Sequence, residues 1–132
     1  MLDSLKIILV LFILVLIIDI PVITLLFKSK WEKNIQNIQG SKLNIKPIYA
    51  LITYILIPIG LFMFVYPKID NKNWLQTSLL YGFLFGFISY GIFDFTNLSL
   101  IDKYPLDLAI IDSIWGGILC ALVVTITKYI FK

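Results

Sequence analysis

Asp19, Asp94 and Asp112 lie inside stretches that are otherwise almost all hydrocarbon. A carboxylate at a helix centre in lipid costs roughly 2.5–3.5 kcal/mol even on a lenient insertion scale. A chain keeps such a group where it pairs, meets water or does chemistry. Two carboxyls in one low-dielectric pocket cannot both ionise cheaply, so such a pair holds a proton near neutral pH or admits a cation. The donors expected nearby are neutral: Tyr54, Tyr90, Asn97, Trp115, Thr24 and Thr53. No lysine lies near the acids to neutralise them: Lys6 and Lys128 fall at the far ends of their apolar runs. Asp19, Tyr54, Tyr90, Asp94, Asn97, Asp112 and Trp115 are therefore the candidate ligand- or ion-binding residues. The plainer alternative is that an aspartate bonded to a tyrosine or asparagine serves only to set helix register.

The elements that must position these residues follow from composition. The chain has 132 residues, 60% hydrophobic and 14% charged, where a soluble domain carries about 25% charged residues. Its charges cluster between four apolar runs, at 5–27, 47–66, 75–95 and 106–130, each near the roughly 20 residues needed to cross a bilayer. The expectation is an all-α fold: one integral membrane four-helix bundle over residues 1–132. A polar loop at 28–46, a short turn at 67–74 and a connector at 96–105 would make neighbouring helices antiparallel. No small-residue cleavage site follows the first run, so it reads as a retained helix.

Depth brings the acids together. Asp19 lies eight residues before the end of the first run, about 12 Å below the first-loop surface, and Asp112 six residues into the fourth, about 9 Å below the same surface. Asp94 closes the third run on that side. Tyr49, Thr53 and Tyr54 of the second run share the layer. In the third run Ser78, Gly82, Gly86, Tyr90 and Asp94 recur every four residues, a stripe of the kind that lets helix backbones approach closely. Asp112, Trp115, Gly116 and Cys120 share a face of the fourth. Pro21 and Pro58 each remove a backbone donor inside an apolar run, which frees a carbonyl and bends the helix. Asp102 and Asp107 read as surface acids, with Asp107 also suited to a helix first turn.

Several classes are excluded. With one cysteine, Cys120, and no histidine, neither an internal disulfide nor a Cys/His metal site can form. No cofactor is called for. All eleven basic residues are lysines, and nothing resembles the arginine-rich patches that read nucleic acid. Six lysines fall on the first-loop side and five on the other. The denser cluster, in the first loop, is assigned to the cytoplasm.

The stretch Tyr90-Gly91-Ile92-Phe93-Asp94-Phe95-Thr96-Asn97, then Tyr104-Pro105-Leu106, then Asp112-Ser113-Ile114-Trp115-Gly116 resembles the family of small four-helix membrane proteins catalogued as domain of unknown function 2177. Tyr104 stands where that family's pattern usually has tryptophan, and Ile20 where a glycine often follows the first acid. Asp19, Tyr54 and Pro67 are collinear with weaker parts of the pattern. The resemblance covers essentially the whole chain. It implies a four-helix membrane fold and no particular activity.

Three functions fit these residues. The layer binds or translocates a proton, a cation or a small solute, within the bundle or a homo-oligomer. It is the site of a membrane-embedded enzyme or binder acting on a lipid or isoprenoid by acid–base chemistry. Or the chain is an accessory subunit docked through Gly82, Gly86, Gly116 and Gly117 to a larger membrane partner. Matching acids are missing from the opposite half of the runs, which argues against a continuous polar path through one protomer. The one assured partner is the lipid bilayer.

Overall fold

The computed structural model describes residues 1–132, all helix and short connectors, without strands. Four helical stretches are long and apolar enough to cross a membrane, and lipid leaves such stretches no other way to satisfy their backbone. α1 spans Leu2–Val22. It passes through a π-helical turn, Ile23–Phe27, into α2, Lys28–Gln39. α3 spans Pro47–Gly60, followed by a second π turn, Leu61–Val65, and a 3₁₀ turn, Tyr66–Lys68. α4 is Trp74–Leu100 and α5 is Leu106–Ile130.

Two connectors differ from the sequence reading. Residues 28–39 are not loop but helix, continuing the first span as one rod from Leu2 to Gln39. Their stripe Trp31, Ile35, Ile38 is half-buried while Glu32, Lys33 and Gln36 are exposed, the amphipathic pattern of a helix lying against a surface. α2 ends at Gly40, whose φ of 73° closes the helix on the Gln36 carbonyl, a conformation glycine adopts without penalty. α4 runs five residues past Phe95, so Thr96–Leu100 belongs to the helix and only 101–105 connects to α5. Both prolines stay inside their helices, Pro21 in α1 and Pro58 in α3. Each is followed within three residues by a π turn, the local widening that absorbs a missing backbone donor.

α5 is the centre of the bundle, with Leu108, Ala109, Ser113, Gly116, Gly117, Leu119, Cys120, Val123 and Val124 buried along it. Its most extensive contact is with α4, through the stripe Ser78, Gly82, Gly86 and Asp94, which is the buried face of that helix. The approach is backbone to backbone. A methyl added at Gly82 would lie 2.7 Å from Ala121 Cα, and one at Gly86 would collide with the Gly116 carbonyl. On the far side of α5, Leu11 and Val15 of α1 and Leu61 and Val65 of the second π turn complete an apolar core with Leu119, Val123 and Val124. A smaller cluster caps the first-loop end: Tyr104, Leu108 and Ala109, covered by Trp31, Ile38, Leu98 and Ile101. Leucines and isoleucines such as Leu9, Ile17, Leu56, Ile88 and Ile92 face outward, as a lipid-solvated surface requires.

Candidate functional site

Asp19 continues the buried stripe of α1, four and eight residues beyond Val15 and Leu11, and is 2% exposed. The Tyr54 hydroxyl of α3 donates to its Oδ2 at 2.8 Å, and the Trp115 indole N–H of α5 donates to its Oδ1 at 2.8 Å. One carboxyl thus ties three spans. Both of its oxygens accept from neutral donors.

Asp94, the last polar member of the α4 stripe, is fully buried. Tyr104 donates its hydroxyl to Oδ1 at 2.6 Å. Oδ2 has no donor, and the carboxyl of Asp112 on the neighbouring helix is an electrostatic neighbour of Asp94. Asp112, half-buried on α5, is in electrostatic range of both Asp94 and Asp19. The Asn97 side chain stands beside the Tyr104 hydroxyl, one turn beyond Asp94. Burial, then the adjacent Asp94, push the Tyr104 hydroxyl above the usual tyrosine range, so it remains a donor. The Tyr90 ring packs on Gly116, where any side chain would collide with it. Its hydroxyl sits in electrostatic range of Asp19, Asp112 and Tyr54.

All seven candidate residues therefore gather in one layer at the first-loop end of the spans, around two centres: Asp19–Tyr54–Trp115, and Asp94–Asp112 with Asn97. Tyr90 lies between them. Three expected donors do not join. Thr24 bonds back to the Ile20 carbonyl at 2.7 Å and Thr53 to the Tyr49 carbonyl at 3.2 Å, so both hydroxyls are taken up by their own helices. Tyr49 is 64% exposed and points away from the bundle. Asp102 is a surface acid, as expected. Asp107 is exposed as well, but it pairs with Lys30 and so joins α5 to α2.

The sequence reading did not place Tyr104 among the candidate residues. Its clue was that it replaces tryptophan in the family pattern, since both are rings that carry one hydrogen-bond donor. The i, i+4, i+7 spacing of Trp31, Ile35 and Ile38 was the corresponding signal for α2.

Residues 4–129 match the family model described as predicted membrane protein (DUF2177). The chain belongs to this family. No curated protein and no solved structure matches it. With the family's membrane character and four apolar helices, this DUF2177 protein is an integral, multi-pass membrane protein. Asp94, Asn97, Asp112 and Trp115, which carry the resemblance in the sequence, lie within the matched span and fall in the carboxyl layer just described.

Proposed function

We propose that Asp94 and Asp112 form a small-cation site inside the membrane, occupied by a proton, and that the protein uses it in transport. The observation that carries this reading is the Asp94 carboxyl. It is fully buried, with one oxygen bonded by Tyr104 and the other without a donor, facing a second carboxyl. Two neighbouring carboxyls in such surroundings cannot both ionise cheaply, so the pair holds one proton, which can satisfy the otherwise orphaned oxygen. A proton held there is exchangeable, and intramembrane carboxyls that bind protons are the usual currency of proton-linked transport.

The rest of the bundle shapes the kind of transport. Below the layer the packing is Leu11, Val15, Leu61, Val65, Leu119 and Val123, which offers a proton no partner. Crossing that half requires a conformational step, so flux should saturate as a carrier's does. Two surface hollows are lined by Ser29, Lys30, Lys33, Asn34 and Asp107 and by residues 72–76 with Leu79, and neither includes a carboxyl-layer residue. Asp19 supports a structural role within the same site, since its two oxygens already bind two donors on two helices.

The test is proton uptake by proteoliposomes under a potassium diffusion potential. Wild-type protein is expected to acidify vesicles faster than protein-free liposomes, and Asp94→Asn and Asp112→Asn are each expected to cut the rate at least tenfold. Wild-type flux equal to that of empty vesicles would sink the transport reading.

A further inference from the structure

We infer that α2 is a hinged cap, latched to the start of α5, that controls exchange of the Asp94–Asp112 proton with water on the first-loop side. This rests on the proton-sharing reading of that pair. Asp94 is fully buried, so a proton reaches it only if something moves. On the loop side its immediate cover is Tyr104, 7% exposed, whose hydroxyl rests on the carboxyl. Tyr104 belongs to a small cluster with Leu108 and Ala109, against which Trp31 and Ile38 of α2 pack. From α2 inwards the order is the Tyr104 cluster, then Asp94.

α2 is built to lift. It meets the bundle through side chains: its backbone makes no extensive approach to α4 or α5. Two side chains on the Tyr104 cluster and the Lys30–Asp107 ion pair hold it down. That pair lines an open cleft with Ser29, Lys33 and Asn34, all polar, so it is wetted and screened. Both ends of α2 can yield. At its root, the π turn Ile23–Phe27 follows Pro21, and Phe27, at φ −105° and ψ −10°, departs from ideal α-helical angles while staying in the right-handed region. At its tip Gly40 breaks the helix, and the following residues 41–46 are exposed and irregular. An exposed ion pair of this kind biases a closed form over an open one by roughly 1.5- to 5-fold.

The experiment is hydrogen–deuterium exchange at the carboxyl groups, followed by infrared spectroscopy on the full chain in lipid nanodiscs. The bands are assigned with Asp94→Asn and Asp112→Asn. Lys30→Gln and Asp107→Asn are each expected to speed exchange roughly 1.5- to 5-fold, matching the loss of one exposed pair. Raising the salt should speed wild type and leave these variants unchanged. Swapping the charges, Lys30→Asp with Asp107→Lys, should restore the slow rate. Lys30→Cys and Asp107→Cys, bridged by a short cleavable bis-thiol reagent, should slow exchange at least tenfold until the bridge is cut. Cys120 is buried and free and does not compete for the reagent. Exchange indifferent to both unlatching and bridging would overturn the cap. If exchange responds while proteoliposome flux is absent, the cap stands and the transport reading falls. Flux without any response to the latch gives the reverse.

Discussion

Asp19 and Asp94 are both buried aspartates on helices, yet their surroundings assign them different tasks. Asp19 accepts on each oxygen from a neutral ring donor, so its hydrogen-bonding capacity is matched by partners on α3 and α5. Asp94 has half of that: Tyr104 on one oxygen and another acid opposite the other. The bond from Tyr104 is then the single neutral donation that steadies the pair. Tyr104→Phe removes only the hydroxyl, and a buried acceptor left without its donor costs about 1–3 kcal/mol. The expected result is a lower thermal midpoint together with a shifted carboxyl C=O band for Asp94. Ser89→Ala is the control, because that hydroxyl is exposed and bonds only to the Phe85 carbonyl of its own helix. It should move neither measurement. If Tyr104→Phe leaves the infrared band in place, the hydrogen bond is not part of the site.

At the scale of elements, α4 and α5 set the geometry of the acid pair, and glycines set how closely these helices lie. Two glycines of α4, five residues apart, make opposite predictions. A methyl at Gly86 would meet the Gly116 backbone, whereas one at Gly91 would meet only Ser113 Oγ at 3.6 Å, an ordinary contact. Gly86→Ala should therefore destabilise by roughly 1–3 kcal/mol through overpacking, and it should separate Asp94 from Asp112. Gly91→Ala should be neutral or stabilise by roughly 0.5–1 kcal/mol, since alanine outranks glycine within a helix. Thermal unfolding in detergent would decide, and equal losses at both positions would remove backbone contact as the cause. This stripe was legible in the sequence because a four-residue repeat of Ser78, Gly82 and Gly86 has few uses other than close packing. The layer was legible because depth along a span is simple arithmetic once the topology alternates. Hydroxyls were not: Thr24 and Thr53 satisfy themselves on their own carbonyls, and nothing in residue type separates that from a bond across helices. α2 was obscured because its lysines and asparagines mark polarity, which a loop and an interfacial helix share.

For the molecule as a whole, an even number of spans puts both termini on one face and the carboxyl layer near the other. The lysines then divide into Lys28, Lys30, Lys33, Lys42, Lys46 and Lys103 on the acid side, and Lys6, Lys68, Lys72, Lys128 and Lys132 on the terminal side. The two ends are anchored differently. On the terminal side, Lys128 lies over the Tyr66 ring at 5.3 Å and Lys132 over Trp74 at 4.7 Å, so these cations are engaged by aromatic faces. On the acid side, Lys33, Lys42 and Lys46 lie exposed within α2 and the segment after it. Exposed lysines near short spans favour a cytoplasmic loop, so the prediction is that the acid layer lies in the cytoplasmic half of the membrane. Single substitutions read this directly, because Cys120 is buried and silent. Lys42→Cys should resist a membrane-impermeant thiol reagent in intact cells and react after permeabilisation, whereas Lys68→Cys should react without it. Both cysteines reacting in intact cells would contradict the alternation of spans itself. The inverse pattern would keep the bundle and turn it over, and the proton of Asp94 and Asp112 would then load from outside the cell.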